Sequence, residues 1–277
     1  MNSSHLAAHR TILLLGVPID ALTLDEAAQQ IAAEAAAGRG GWVVTPNLDI
    51  LRRATRDAGF RRLYDETTMR LADGMPLVWA SRLQRTPLPE RAAGSDLIYK
   101  VAQHAAARGL SLFMLGGNPG TAEKSVSLLA ARYPGLRIAG VECPPLGFEQ
   151  DPASLAALIG RVELSRPDIV LVALGCPKQE QVIKQLRPRL PDAWFVGVGI
   201  TFSFVAGDVG RAPHWMRSSG LEWIHRLLQE PRRLARRYLV DGLPFAVKLL
   251  ACSSVKGLLK RNEGLDSRMS RRESVDT

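Results

Sequence analysis

The feature that most constrains this chain is an alternation. Short runs of β-type apolar residues recur along it, separated by longer segments that carry helix start and stop signals. The strand-like runs are Ile12–Val17, Trp42–Thr45, Arg70–Ala72, Ser111–Leu115, Arg137–Val141, Asp168–Leu174 and Trp194–Val198. Those near 112–115, 169–174 and 195–198 are apolar almost throughout, which suits strands covered on both faces, as in a parallel sheet. Between them, Thr23-Leu-Asp-Glu26 reads as a capping box opening an Ala-rich helix to Ala37, with Gly38 as its stop. Ser95 is placed to cap a helix that runs to Arg108 and closes at Gly109. Asn118-Pro119 and Asp151-Pro152 each set a capping residue before a first-turn proline. Alternating β and α units predict an α/β fold with a Rossmann-like, mostly parallel sheet flanked by helices. At 277 residues the chain is long enough for one large domain or two small ones.

The alternation stops near Gly210. Helical stretches rich in Arg and Trp follow over 213–229 and 231–259, and residues 261–277 are polar and charged. The division expected is a disordered N-terminus over 1–10, an α/β body over 11–210, a helical basic appendage over 211–260 and a disordered tail over 261–277. Charge follows the same division. The net charge is +9; residues 211–277 hold 14 Lys/Arg and 7 Asp/Glu, so +7 of it lies in the last quarter. Such a balance points to a polyanionic partner: nucleic acid, a membrane surface or a phosphorylated ligand. The three cysteines, Cys143, Cys176 and Cys252, are widely spaced and form no C-x-x-C pair, which argues for a reducing cytoplasm and against a disulfide framework or zinc site. No uncharged apolar stretch reaches 18 residues, so no spanning helix is expected; Leu239–Leu259 comes closest, with Asp241 and Lys248 interrupting it.

In open α/β sheets ligands bind beyond the carboxyl ends of the strands, so the turns there carry the functional signal. Asp73, followed by Gly74, is a candidate general base or an ordinary turn residue. Thr45 and Asn47 offer neutral groups suited to sugar hydroxyls or phosphate; Asn47 equally suits a helix cap before 48–58. Leu115-Gly-Gly-Asn-Pro-Gly120 is a glycine-rich strand-to-helix turn of the kind that binds anions, but it is neither G-x-G-x-x-G nor a P-loop. Gly175-Cys-Pro-Lys-Gln-Glu180 puts Lys178, Gln179 and Glu180 at another such junction. Arg226, Arg232, Arg233, Arg236 and Arg237 crowd one short helical region, either as an anion grip or as a solvated basic face. No Asp-x-Asp occurs and the histidines form no metal-ligand spacing, so neither metal nor cofactor is expected.

Taken in order, these turns resemble the WecG/TagA/CpsF glycosyltransferase family, glycosyltransferase family 26. The matching pieces are Thr45-Pro-Asn47, Ala72-Asp-Gly74, Glu90-Arg91-x-x-Gly94-x-Asp96, Leu115-Gly-Gly117, Tyr133-Pro-Gly135, Gly175-x-Pro-Lys-Gln-Glu180, Gly197-Val-Gly199, Arg211-Ala-Pro213 with Trp215, Gly220-Leu-Glu-Trp223, and Arg226-Leu-x-x-Glu-Pro-x-Arg233 with Arg236-Arg-Tyr238. They span about 11–245, most of the chain. The resemblance implies inverting transfer of a sugar from a UDP-sugar to a sugar on a polyprenyl diphosphate, in the synthesis of bacterial cell-surface polymers of the polysaccharide or teichoic-acid type. It implies Asp73 as the general base, with Thr45, Asn47, Arg91 and Gln179 lining the cleft and Arg226, Arg233 and Arg236 on the donor diphosphate. It also implies that the appendage reaches an anionic membrane surface, putting the protein in the cytoplasm, peripheral on the inner face of the plasma membrane. Donors within the family include N-acetylmannosamine, its uronic acid and glucose types; the acceptor sugar and any homo-oligomer are left open. One departure stands out: Ser203, in Phe202-Ser203-Phe204-Val-Ala-Gly207, replaces a residue that is usually acidic. A basic nucleic-acid-binding protein and a Rossmann-like oxidoreductase are the alternatives, the first resting on charge alone and the second unsupported by the glycine patterns.

Overall fold

In the structure, a computed structural model that describes residues 9–273, the fold is α/β. The chain begins with a two-stranded antiparallel hairpin, β1 (Thr11–Leu14) and β2 (Val17–Asp20), where the sequence suggested one strand over Ile12–Val17. The break falls at Leu15 and Gly16, both with positive φ (49° and 79°), the backbone of a tight hairpin turn. Leucine rarely adopts that conformation, so the turn carries no signal in the sequence. Helix α1 (Leu24–Ala36) starts on the expected capping box: Thr23 Oγ1 accepts from Glu26 N, and Glu26 Oε2 accepts from Thr23 N. Then come β3 (Gly41–Val44), α2 (Leu48–Arg56), α3 (Ala58–Asp65), β4 (Met69–Arg70), α4 (Met75–Leu83), α5 (Gly94–Arg108), β5 (Ser111–Gly116), α6 (Thr121–Arg132) and β6 (Arg137–Glu142). The body ends with α7 (Pro152–Ser165), β7 (Ile169–Ala173), α8 (Lys178–Leu186), β8 (Trp194–Gly197) and α9 (Thr201–Val205).

Strands β3 to β8 form one sheet in the order β4-β3-β8-β7-β5-β6, with every pair parallel. Both faces are covered, as the continuous apolar runs require. Alternate residues serve opposite layers. Trp42, Val44, Phe113, Leu115, Val170, Val172 and Phe195 pack with the hairpin, α2, α3, α7 and α8. Val43, Leu112, Met114, Ile169, Leu171, Trp194 and Val196 pack with α1, α5, α6 and α9. Two helix starts differ from expectation. Helix α5 begins at Gly94 with Ala93 before it, and the Ser95 side chain is taken up elsewhere. Helix α6 begins at Thr121 after Gly120 in the left-handed region; Asn118 turns the chain there by accepting from Thr121 N through its carbonyl.

After residue 210 come α10 (His214–Ser218), α11 (Glu222–Gln229), α12 (Pro231–Ala235), a π-helical stretch Arg236–Gly242 and α13 (Leu243–Glu273). The expected helix over 213–229 is broken at Ser219-Gly220, where Gly220 has φ +77°. Helix α13 joins the body: Phe245 and Leu249 enter the apolar layer shared with the hairpin and α2. Gly257 lies so close to α4 that a Cβ there would sit 1.9 Å from the Leu83 carbonyl oxygen. The outer face of the same helix leaves Val247, Val255, Leu258 and Leu259 exposed beside Lys248 and Lys256. By length and composition the run Pro231–Asn262 can cross a membrane, its best 18-residue stretch having a mean hydropathy of 1.4. That differs from the expectation of no spanning helix, because such a stretch tolerates one or two charges. Here it lies along the body, and crossing would forfeit the Phe245 and Leu249 packing. Helix α13 also continues through 261–273, within the segment 261–277 expected as a disordered tail; a packed helix propagates into polar sequence at little cost once nucleated. The N-terminal residues 1–8 and the final 274–277 lie outside the described residues.

Candidate active site

The carboxyl ends of β3, β4, β7 and β8 converge, and their turns are laced together. Leu71 N donates to Val44 O and Asp73 N to Pro46 O (2.8 Å), so the turn after β4 runs alongside the turn after β3. Ala92 N donates to Ala72 O (2.8 Å), adding the segment with Arg91 as a third line. Gly74, with φ +147°, then swings the chain into α4, a conformation that favours glycine. Asp73 is thereby left at the rim of the sheet, half-buried.

The charges around Asp73 decide its chemistry. Burial pushes its pKa up from 3.8 to about 6; Glu222 and Asp96 push the same way, while Arg91 and Arg226 pull it down. Among the described residues, no side chain hydrogen-bonds or ion-pairs with its carboxylate. The neighbouring carboxylates are engaged. Glu222 accepts from Arg91 Nη1, and Asp96 meets Arg91 at 3.6 Å, Arg211 at 2.8 Å and Arg217 at 3.9 Å. Arg211 also donates to Ser95 Oγ at 2.9 Å. Burial opposes the charge on Arg91, but Asp73, Glu222 and Asp96 outweigh it and raise its pKa. Arg226, one turn after Glu222 on α11, stacks over the Phe204 ring at 5.8 Å, and its buried Nε has no partner among the described residues. A guanidinium partly stripped of water with an unmet donor is suited to a phosphate oxygen.

The other residues expected at the site divide. Thr45 is buried and its hydroxyl donates to Gly197 O at 3.2 Å, joining β3 to β8. Asn47 is the N-cap of α2: its Oδ1 accepts from Asp49 N and Ile50 N, leaving only Nδ2 for a ligand. Gln179 is buried; its Nε2 donates to Glu180 and its Oε1 accepts from Gly199 N, so it fixes the turn after β8. Its amide lies close against the β8 backbone: a Cβ on Gly197 would come within 2.7 Å of Gln179 Nε2. Arg233 is exposed and paired with Glu230 at 2.6 Å, and Arg236 is exposed. Arg237, beside them, reaches back to Asp49 at 3.3 Å.

Three suggestions from the turns change meaning. The glycine-rich turn after β5 is packed by the protein itself: a Cβ on Gly116 would meet Ala173 O at 2.6 Å, and one on Gly117 would meet Thr121 Oγ1 at 2.6 Å. Lys178 pairs with Glu149 at 2.6 Å and leans over Phe148. Burial pushes the Cys176 thiol up, with the Glu180 carboxylate adding to it, which disfavours a nucleophilic thiolate. Ser203, at the usually acidic position, is buried in α9, and its carbonyl accepts from Asp208 N and Val209 N.

The geometry thus sets one carboxylate beside two guanidinium groups at the end of a parallel sheet, in the turns that carry the ordered motifs. A family model described as the glycosyl transferase WecG/TagA/CpsF family matches residues 12–257. The chain belongs to the WecG/TagA/CpsF glycosyltransferase family. Within this family it is 34% identical over 197 residues to the N-acetylglucosaminyldiphosphoundecaprenol N-acetyl-beta-D-mannosaminyltransferase of Bacillus subtilis (strain 168), covering 71% of this chain and 75% of that one. It is 32% identical over 209 residues to the protein of the same name from Bacillus spizizenii, covering 76% and 79%. Membership in the WecG/TagA/CpsF family makes it a glycosyltransferase of cell-surface polysaccharide biosynthesis. The WecG/TagA/CpsF motifs, read as sequence, gave no role to Asp96, Arg211, Arg217 or Glu222. All four lie in or beside the motifs, but their ion pairs span more than 100 residues of sequence, which spacing cannot reveal.

Proposed function

We propose that this protein transfers N-acetylmannosamine, with inversion, from its UDP-sugar to N-acetylglucosamine held on a polyprenyl diphosphate. The observation that carries the reading is Asp73, unpaired among the described residues at the sheet rim and flanked by Arg91 and Arg226. The sugar identities rest on the names of the two Bacillus relatives. In the step envisaged, the acceptor hydroxyl oxygen attacks the anomeric carbon while its proton passes to Asp73. The bond from that carbon to the diphosphate oxygen breaks, and UDP leaves with the electron pair. A single displacement inverts the anomeric centre and needs one base and one charge clamp. With a pKa of about 6, Asp73 is about nine-tenths ionised at pH 7, and it is a stronger base than an ordinary aspartate. Arg226, and in our reading Arg233 and Arg236 once the donor is bound, neutralise the leaving diphosphate. Thr45 and Gln179 shape the floor through Gly197 and Gly199, and Asn47 offers Nδ2 to the substrate.

The parallel sheet with its site beyond the strand ends is of the Rossmann-like kind. The lipid-linked acceptor puts the enzyme on the inner face of the plasma membrane, with the exposed apolar and lysine-bearing face of α13 toward the lipid. The test is UDP release by the purified full chain, screened with UDP-N-acetylmannosamine, UDP-N-acetylmannosaminuronic acid and UDP-glucose against an N-acetylglucosamine-diphosphate-lipid analogue. Turnover that needs both UDP-N-acetylmannosamine and the acceptor is expected. No acceptor-dependent release from any of the three donors would refute the reading.

A further inference from the structure

We propose that Glu222 is a positioning residue that links docking of the 211–229 segment to Asp73, by holding the Arg91 guanidinium that would otherwise turn toward that carboxylate. This rests on the reading of Asp73 as the base. Arg91 and Asp73 are neighbours within the body whatever α11 does, because the Ala92 N to Ala72 O bond holds their two segments side by side. Glu222 arrives from outside the body, 131 residues further along the chain, and takes Arg91 Nη1. Both side chains of that pair are largely out of water, 14% and 18% exposed, so the charges act on each other and on Asp73 with little screening.

Helix geometry makes the arrival a paired event. Glu222 and Arg226 are four residues apart on α11 and share a face. Docking therefore delivers a carboxylate to Arg91 and a guanidinium toward Asp73 in one movement. Arg211 and Arg217, bound to Asp96 on α5, brace the same segment. Among the described residues, the charged groups facing Asp73 are Arg91 from the turn before α5, Asp96 from α5, and Glu222 and Arg226 from α11. Removing the Glu222 charge leaves Arg91 directed at Asp73. The aspartate then ionises at lower pH and accepts a proton less readily.

The experiment compares the full chain with its Glu222→Gln variant, using UDP-N-acetylmannosamine and the N-acetylglucosamine-diphosphate-lipid analogue. We expect the acid limb of kcat/KM to move down by about one pH unit in Glu222→Gln, with a lower kcat above it. A limb that stays in place while the rate falls would mean that Glu222 is only a latch, and the proposal would be wrong. A second readout needs no turnover: the effect of Asp73→Asn on stability is followed against pH, once with Glu222 intact and once in the Glu222→Gln background. The pH at which that effect reaches half its plateau should move down alongside the limb, and an unmoved midpoint overturns the proposal. If no UDP-sugar is turned over by the intact chain, the transfer reading fails while this titration still decides the role of Glu222. Glu222→Ala, equally uncharged, substitutes if Glu222→Gln does not fold, with the same outcomes.

Discussion

Replacing Asp73 with asparagine should make the protein more stable while stopping the reaction. The carboxylate is desolvated at the sheet rim, and its pKa rises from 3.8 to about 6. At about 1.36 kcal/mol per pKa unit, keeping it ionised costs the folded state about 3 kcal/mol. Because Asp73 is only half-buried, we take roughly 1–3 kcal/mol as the expected range. The sign follows from proton counting. Between pH 3.8 and about 6 the folded chain binds more protons than the unfolded one at this site, so this contribution to stability falls as pH rises. Above about pH 6 the full cost is present, and below 3.8 it is absent. Urea denaturation of the two proteins should therefore show Asp73→Asn ahead by roughly 1–3 kcal/mol at pH 8, the gap closing toward pH 4. Turnover at pH 8 should fall by a factor of about 10²–10⁴, the usual contribution of a general base. An Asp73→Asn variant less stable than its parent at pH 8, or a gap that does not narrow on acidification, would refute the electrostatic account.

Arg226→Ala should lower kcat by about 10²–10³, the usual loss for one preorganised partner of developing charge, measured by UDP release at saturating donor. Arg233→Ala removes an exposed residue paired with Glu230, so any effect on stability should be under about 1 kcal/mol by urea denaturation, whatever it does to donor binding. Gly257→Val should destabilise the chain by about 1–3 kcal/mol or more and loosen α13 from α4, read as faster proteolysis within 243–260, because the added carbons would meet the Leu83 carbonyl. Thr23→Ala should cost about 1 kcal/mol in the same denaturation assay, through loss of the α1 capping box.

Much of the fold was legible in local sequence. The buried strands announced themselves as apolar runs, and each sheet strand lies within a residue or two of its run. The capping box at Thr23 and the cap at Asp151 are local hydrogen bonds between near neighbours, so spacing alone locates them. The misses have physical causes. A leucine in a left-handed turn split the first run, and a glycine turn displaced the cap expected at Asn118. The inner face of α13 was hard to read because the small residues Ser253 and Gly257 share the packing with Phe245 and Leu249, while Val247, Val255, Leu258 and Leu259 of the same helix face outward.

The candidate site shows the same division. The sequence by itself determined which turns matter and the family, and it singled out Asp73 as the candidate base. These follow from short-range pattern: strand, turn, helix and an ordered set of motifs. Only the tertiary structure decided how that carboxylate is tuned. Asp73 is governed by residues at 91, 96, 222 and 226, brought together by the order of strands in the sheet and by docking of the C-terminal segment. Tertiary structure also showed that Asn47 and Gln179 spend much of their hydrogen-bonding capacity on the protein itself. The +7 carried by residues 211–277 becomes specific in the same way. Some of its arginines are ion-paired with Asp49, Asp96 and Glu230, while Arg226 lies over Phe204 within electrostatic reach of Asp73. Electrostatic interaction depends on distance and desolvation, and neither is a property of sequence order.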